Sequence, residues 1–561
     1  MRQDLLLLSL VASSSATAIS VELKHGTVVG QQTPRTERFL AIPYAEPPIG
    51  PNRFKPPVPL QASFGTHVSP AFAPACVQTP IDLSEYANNP ATMSVQALDF
   101  PFNGPVQNET EDCLTVDVVR PTNTTAESKL PVFFWSYGGG FMNGATQQYT
   151  GDKFVGFSVD MGQPVIYVAP NYRVGVLGFL PGSEIKAEGS SNAGLRDQRL
   201  ALQWVQENIA QFGGDPDRVT IMGESAGAHS VVYQTIINRG NHTWNGKPLF
   251  RGAIQSSGAP HPLLDIDAVK PQGIYDRVVD AASCRNATNT LDCLRELSTA
   301  DIVSAGTANP GPLSYRGLDG SYRPRPDDSD DFLPVSSDLA FQSGAYANVS
   351  FINGNTQDEG AFFSQWQTNV TTVDQLVDYF TTALPDVSRS LIAGFVDTYS
   401  LDPAAGSPYN TGTENQLYPM YKLLASVAGD SFFIFNRRMQ LQLTSRERPS
   451  WSFLVSSYST PWFGNAHGVD LYGIFSEGTR QEVTERTQSY YYVNFVNHLD
   501  PNGKEGSSPP GNMPYVGAWP RYTPENPAML QYLNGSNVII PDTFRAQSYE
   551  YYRRTASAWK A

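Results

Sequence analysis

A serine flanked by glycines is the first residue in this sequence whose surroundings suggest chemistry. Ser225 lies in Gly-Glu-Ser-Ala-Gly, so Gly223 and Gly227 stand two residues before and two residues after it. The segment follows the apolar run Arg-Val-Thr-Ile-Met and precedes a helix-like pattern. A turn this tight between a strand and a helix excludes side chains at both glycines and projects the serine hydroxyl outward. The pattern predicts a nucleophile, and the alternative is an ordinary glycine-rich turn that contains a serine.

A serine hydroxyl is a poor nucleophile unless a base accepts its proton and a carboxylate orients that base. With this motif the partners follow the serine in the order acid, then histidine. Of the seven histidines, only His467 and His498 follow His261. His467 lies in a glycine-flanked loop after an apolar run, and His498 ends a helical pattern. We therefore predict that His467 is the base, that His498 is structural, and that His229 is a packed helix residue.

Two adjacent carboxyl residues are candidates for the orienting acid. Asp358 and Glu359 follow the apolar run Val349–Asn355, and local reasoning does not separate them. A third carboxyl residue, Glu224, directly precedes the serine. It either caps the start of the following helix or faces the substrate, and the sequence favours neither role.

Acyl transfer also needs backbone N–H groups that stabilise an oxyanion, and each such donor typically contributes roughly 10²–10³ in rate. One donor is expected at Ala226, directly after the serine. The others require a glycine-rich loop after an earlier strand, and the segment Tyr137–Phe141 (Tyr-Gly-Gly-Gly-Phe) provides one.

Apolar runs alternate with helical patterns along the chain, which is typical of a buried parallel sheet whose site forms at the carboxyl ends of its strands. A helix is predicted over Leu195–Gly213. We find no internal repeat or low-complexity linker and expect one catalytic domain over residues 19–561. The predicted strands are Leu130–Tyr137, Pro164–Arg173, Phe250–Ala259, Val349–Asn355 and Trp451–Tyr458.

The net charge restricts the kind of partner, and the N-terminal sequence indicates the cellular compartment. The formal net charge is −15 and no basic cluster occurs, which argues against nucleic acid as a partner. Arg2, the apolar run Leu5–Ala12 and the small residues ending at Ala18 predict a signal peptide over residues 1–18 and a secreted protein. No other apolar window is long enough to span a bilayer, so no stable membrane anchor is expected.

The cysteines and the glycosylation motifs agree with an extracellular protein. Four cysteines permit three pairings, and we favour the local pairs Cys76–Cys113 and Cys284–Cys293 because short loops close at the least entropic cost. Their spacing does not match a zinc site, and neither a metal nor another cofactor is predicted. The Asn-x-Ser/Thr motifs are at Asn108, Asn123, Asn241, Asn286, Asn348, Asn369 and Asn534.

Taken together, these motifs resemble the type-B carboxylesterase/lipase family of α/β-hydrolases, which includes cholinesterases and secreted fungal lipases. The resemblance covers nearly all of the mature chain. It is carried by the glycine loop, the serine turn, the Asp-Glu-Gly and Asn-Ala-His-Gly segments, and the ranges Phe39–Pro57, Glu111–Pro121 and Asn192–Ser230.

The resemblance implies an α/β-hydrolase fold, with a large and mostly parallel central sheet and helices on both faces. It implies carboxylic-ester hydrolysis through an acyl-enzyme, with Ser225 as nucleophile and His467 as base. Glu359 would be the acid, because the family uses the glutamate of its Asp-Glu-Gly. The oxyanion hole would comprise Gly139, Gly140 and Ala226. The resemblance also supports both disulfides.

The loop between Cys76 and Cys113 departs from the cholinesterases, which carry there a tryptophan that stacks on a quaternary ammonium. Residues 77–112 contain no tryptophan, which disfavours choline esters. The loop is more similar to the lid-bearing loop of fungal lipases, with a fixed flap as the alternative. We expect a serine esterase acting on a small-molecule or lipid ester. A triacylglycerol lipase with a lid in this loop is the alternative, and a non-catalytic adhesion or binding protein is the remote one.

Overall fold

The computed structural model describes residues 19–81, 106–475, 482–504 and 518–561. The predicted signal peptide and the centre of the predicted lid lie outside these residues. The strands are β1 Ile19–Leu23, β2 Gly26–Gln32, β3 Thr36–Pro43, β4 Gly65–Val68, β5 Ala75–Cys76, β6 Glu109–Thr110, β7 Thr115–Pro121, β8 Leu130–Ser136, β9 Ile166–Pro170, β10 Gly214–Glu224, β11 Thr243–Trp244, β12 Lys247–Pro248, β13 Gly252–Ser256, β14 Ser350–Thr356, β15 Ser450–Ser456, β16 Ala528–Leu533 and β17 Ser536–Pro541.

The α-helices of the described ranges lie between and after these strands. They span Asp152–Asp160, Gly175–Phe179, Ser183–Glu188, Ala193–Asn208, Ala226–Ile236, Val269–Ala281, Thr290–Glu296, Thr299–Gly306, Ser337–Gln342, Val373–Ala383, Arg389–Val396, Tyr421–Gly429, Phe435–Thr444, Tyr472–Phe475, Glu482–His498 and Ala546–Thr555.

One large mixed sheet organises the fold. Its 13 strands run in the order β1-β2-β3-β7-β9-β8-β10-β13-β14-β15-β16-β17, with β4 beside β2. The pairings within β9-β8-β10-β13-β14-β15-β16 are all parallel. The pairs β1-β2, β2-β3, β3-β7, β7-β9 and β16-β17 are antiparallel, and β4 pairs with β2 in parallel. Helices pack on both faces, so the predicted α/β-hydrolase fold is confirmed.

The central strands match the prediction, whereas the antiparallel strands at the edge of the sheet are absent from it. Strands β8, β9, β13, β14 and β15 lie within the predicted apolar runs or one residue outside them, and the predicted helix is Ala193–Asn208 followed by a 3₁₀ turn. β9, β13 and β14 are buried along their whole length, which produces continuous apolar runs. β1 and β2 are only partly buried and mix polar with apolar residues, so no such run marks them.

Both predicted disulfides are present, with S–S distances of 2.01 Å for Cys76–Cys113 and 2.03 Å for Cys284–Cys293. The asparagines of all seven glycosylation motifs are exposed, and glycosylation itself stays a prediction. Within the described ranges, no helix is both long and apolar enough to cross a membrane.

The parallel strands bring the predicted site to one edge of the sheet. The glycine loop follows β8, Ser225 follows β10, Glu359 follows β14 and His467 follows β15. Since β8, β10, β13, β14 and β15 are consecutive parallel neighbours, their carboxyl ends lie side by side.

Candidate active site

Ser225 forms a sharp corner between β10 and the helix Ala226–Ile236. Its backbone angles, φ 56° and ψ −124°, lie in a region that residues other than glycine rarely adopt. The flanking glycines permit this corner. A Cβ on Gly223 would lie 2.2 Å from the carbonyl of Gly227, and a Cβ on Gly227 would lie 2.0 Å from the carbonyl oxygen of Ser136. Both positions therefore require glycine for packing, as the motif predicts.

His467 is held by a buried carboxylate. Its Nδ1 lies 2.6 Å from Oε2 of Glu359, and both side chains are buried. The other carboxylate oxygen, Oε1, accepts hydrogen bonds from the Ser257 hydroxyl at 2.6 Å, the Thr356 N–H at 2.8 Å and the Asn355 amide at 3.1 Å. This arrangement fixes the carboxylate and, with Nδ1 as the donor, leaves Nε2 of the imidazole to accept a proton.

The neighbouring Asp358 makes different contacts. It accepts hydrogen bonds from the Ser407 hydroxyl and from the backbone N–H of Asn465, both at 2.9 Å. Asp358 therefore ties down the loop that leads to His467, and Glu359 is the carboxyl residue that contacts the imidazole. Of the two carboxyl residues that local sequence reasoning left open, only Glu359 makes a hydrogen bond with the imidazole.

Glu224 faces the same imidazole from the other side. Its Oε1 lies 3.3 Å from Nε2 of His467, and neither atom has a hydrogen-bond partner among the described residues. Burial raises the pKa of Glu224 to about 8, although His467 opposes this shift. Burial lowers the pKa of His467, but Glu224 and Glu359 outweigh it and raise that pKa to about 9. Of the two roles considered for Glu224, the structure therefore favours the one on the substrate side.

The glycine loop borders the cavity that Ser225 and His467 share. Gly139 and Gly140 have φ angles of 104° and 64°, which glycine adopts without strain. Ala226 also lines this cavity. The structure thus brings the three predicted oxyanion residues next to the candidate nucleophile.

The cavity has a volume of about 820 Å³ and a largely apolar wall. The rings of Phe363 and Phe433 pack on His467, with centroid distances of 5.0 Å and 4.8 Å. Further apolar lining comes from Leu313, Leu318, Phe362 and Phe432. Such a wall accommodates hydrocarbon and keeps water away from the imidazole.

Two further histidines differ in their environment. The Nε2 of His498 is hydrogen-bonded to Oε1 of Gln163 at 2.8 Å, at the end of the helix Glu482–His498, as a structural residue would be. The expectation that His229 is simply packed within its helix is wrong. It is partly exposed and lines the cavity, because the helix Ala226–Ile236 begins at the cavity and its first turns border it.

Sequence reasoning also missed Ser257, which holds Glu359. A signal was available, since Ser257 follows β13 at the edge of the sheet where the other site residues lie. As for metals, no group of three or more His, Cys, Asp or Glu side chains in the described ranges could hold an ion.

Comparisons with known proteins show the family to which the chain belongs. The sequence profile of the Carboxylesterase family matches residues 17–552. The chain is 42% identical to secreted lipase 1 of Botryotinia fuckeliana, over 96% of this chain and 93% of that protein. It is also 42% identical to the secreted triacylglycerol lipase LIP1 of Gibberella zeae, over 97% and 91%.

A solved structure extends the comparison to the fold. Aspergillus niger EstA superimposes with a TM-score of 0.79 at 23% identity, over 97% of this chain and 99% of that one. The family resemblance inferred from the motifs is thereby confirmed. The chain belongs to the carboxylesterase family and is a carboxylic ester hydrolase.

Proposed function

We propose that this hydrolase is a serine esterase in which Ser225 is the nucleophile, His467 the base and Glu359 the orienting acid. The observation that carries the proposal is the 2.6 Å contact between Nδ1 of His467 and Glu359. This contact holds the imidazole so that its Nε2 is available to accept a proton. The cavity that His467 lines is also lined by Ser225. The catalytic cycle follows from this arrangement and the general chemistry of acyl transfer.

In the first half of the cycle, Oγ of Ser225 attacks the ester carbonyl carbon while its proton moves to Nε2 of His467. The carbonyl oxygen becomes an oxyanion, which the N–H groups of Gly139, Gly140 and Ala226 stabilise. When the tetrahedral intermediate collapses, the C–O bond breaks and the leaving alcohol takes the proton from His467. In the second half, water attacks the acyl-enzyme by the same route, and the acid and free Ser225 are released.

Glu224 stabilises the charged intermediate of this cycle. The imidazolium of His467 forms whenever Ser225 is deprotonated, and Glu224, when ionised, places a carboxylate 3.3 Å from the nitrogen that receives the proton. The interaction is strongest when the imidazole is charged, so it lowers the cost of the proton transfer. The apolar rings on His467 strengthen this electrostatic effect by excluding water.

We infer that the protein is secreted. Three observations support this: the signal-peptide pattern at the N-terminus, the two disulfides, and the names of two relatives, which describe them as secreted.

Triacylglycerol hydrolysis is the second candidate activity. The name of the Gibberella zeae relative and the apolar wall of the cavity favour it. The two activities are distinguished by measuring hydrolysis of esters of increasing acyl length below and above their solubility limits. A rate that levels off at the limit indicates an esterase of soluble substrates, and a rate that rises sharply beyond it indicates a lipase.

The catalytic assignment is tested with p-nitrophenyl esters. Ser225→Ala and His467→Gln should abolish turnover, and Ser225→Ala should also prevent labelling by a fluorophosphonate probe. His498→Gln is the matched control and should retain activity, because that histidine lies outside the cavity lining. Near-wild-type turnover by folded Ser225→Ala would refute the assignment, and a wild-type protein that does not react with the probe would favour a non-catalytic binding protein.

A further inference from the structure

A group of basic side chains lines the same cavity and has no role in the cycle above. We call it the basic cluster, and it consists of His229, His261 and Arg323. The rings of His229 and His261 are 5.1 Å apart in an edge-to-face arrangement, and Nη1 of Arg323 lies 3.4 Å from Nε2 of His261. A cationic group in a largely apolar substrate cavity needs an explanation, because desolvating a charge is costly.

Arg323 has no carboxylate partner in the part of the chain that the structure describes. The acidic residue that attracts it, Asp319, forms its ion pair with Arg316. Burial lowers the pKa of Arg323, and Tyr233 and Asp319 partly offset that effect. A guanidinium remains protonated at neutral pH under these conditions. The cavity wall therefore presents a positive charge that no carboxylate of the described residues neutralises directly.

The two imidazoles add no charge to the cavity wall. Burial lowers the pKa of His229 to about 3 and that of His261 far below its ordinary value, so both are neutral at pH 7. His261 accepts from Arg323 through Nε2, which places its own hydrogen on Nδ1. That nitrogen is buried away from the cavity, so His261 positions the guanidinium of Arg323 and does not contact the ester itself.

The charges at the site affect the alcohol part and the acyl part of an ester differently. The leaving oxygen must lie against Nε2 of His467, and Glu224 lies 3.3 Å from that nitrogen. A carboxylate in the alcohol part would therefore be repelled when Glu224 is ionised. A carboxylate in the acyl part is not placed against Glu224, and Arg323 is a cation that lines the same cavity.

We propose that this cavity selects esters whose acyl part carries a carboxylate, which is held by Arg323 of the basic cluster. The inference rests on the proposed function, because it takes Ser225 and His467 to define where the ester carbonyl lies. Recognition is local, since the chain as a whole has a formal charge of −15 and would not attract an anion. An uncharged fatty acyl chain would instead cover the guanidinium of Arg323 and desolvate it without compensation.

The test compares two methyl esters of matched shape. Monomethyl adipate has a carboxylate at the end of its acyl chain, and in methyl 6-methylheptanoate an isopropyl group replaces it. Wild-type enzyme should show the higher kcat/KM for monomethyl adipate. Arg323→Met should reduce the ratio of the two kcat/KM values by a factor on the order of 10 to 100, as expected for loss of a charged hydrogen bond. Arg323→Lys, which keeps the charge, should retain part of the preference.

The controls separate this inference from the proposed function. Arg285→Met removes an exposed guanidinium that pairs with Asp280 and does not line the cavity, and it should leave the ratio unchanged. Ser225→Ala should lose activity on both esters; if it does not, the proposed function fails. The inference fails if wild type prefers the uncharged ester, if Arg323→Met leaves the ratio unchanged, or if 4-acetoxybutanoate, with its carboxylate in the alcohol part, is preferred over monomethyl adipate. If Arg323→Met does not fold, the ratio of the two kcat/KM values in the wild type and in Arg323→Lys still tests the inference.

Discussion

The backbone of Ser225 predicts that glycine at this position gives a more stable protein than alanine. At φ 56° and ψ −124°, a residue with a Cβ is strained by about 1–3 kcal/mol, and glycine escapes that strain. Glycine also gives the unfolded chain more freedom, which costs about 0.4–1 kcal/mol. The difference leaves Ser225→Gly more stable than Ser225→Ala by about 0.5–2 kcal/mol.

Comparing these two variants with each other isolates the backbone contribution. Both lack the hydroxyl, so both should be inactive, and any hydrogen bond of Ser225 is lost equally. The matched control is Gly273→Ala in the helix Val269–Ala281, where an added Cβ would meet only the Arg277 guanidinium, at 3.4 Å. In an ordinary helix position alanine should be more stable than glycine, by about 0.5–1 kcal/mol. The two sites should therefore show opposite signs.

Calorimetric unfolding of the purified proteins with their disulfides intact provides the measurement. In a chain of 561 residues, the melting temperature moves by only about 1 °C per kcal/mol, so replicate scans at one scan rate are needed. The reasoning is refuted if alanine equals or exceeds glycine in stability at position 225 while Gly273→Ala behaves as an ordinary helix substitution. In that case the corner would carry no strain, and its sharpness would have another cause.

Two further substitutions test the electrostatics and the packing of the site. Glu224→Gln removes a carboxylate beside His467, so the pKa of His467 should fall. Since the base must be neutral, kcat/KM rises with pH, and the midpoint of that rise should move down by about one unit or more. An unmoved midpoint would contradict the electrostatic role of Glu224. Gly227→Ala places a Cβ 2.0 Å from the Ser136 carbonyl oxygen, so calorimetry should show destabilisation of about 1–3 kcal/mol or more, with reduced kcat. An unchanged melting temperature would show that the turn accommodates a Cβ at position 227.

The sequence specifies the catalytic corner well because the constraints there are local. Gly223, Ser225 and Gly227 are close in the chain, and their spacing alone requires a tight turn between a strand and a helix. The central strands are similarly predictable, because burial on both faces leaves a continuous apolar run. By contrast, Asp358 and Glu359 are adjacent, and the sequence does not show which carboxyl group meets the imidazole. That depends on how the loop from Ser456 to His467 packs over the end of β14.

The residues that select the substrate are harder to predict for the same physical reason. His229, His261 and Arg323 come from a helix, a loop after β13 and a segment more than 60 residues later, and only the folded chain brings them to one wall. In the sequence, nothing distinguishes any one of these residues from an ordinary polar residue. The serine motif defines the bond that is broken, because acyl transfer needs the same few groups whatever the ester carries. The charge of the cavity wall depends on packing between distant segments, so it can change without altering the motif. A single substitution at Arg323 should therefore change which esters are hydrolysed and leave the chemistry of hydrolysis as it is.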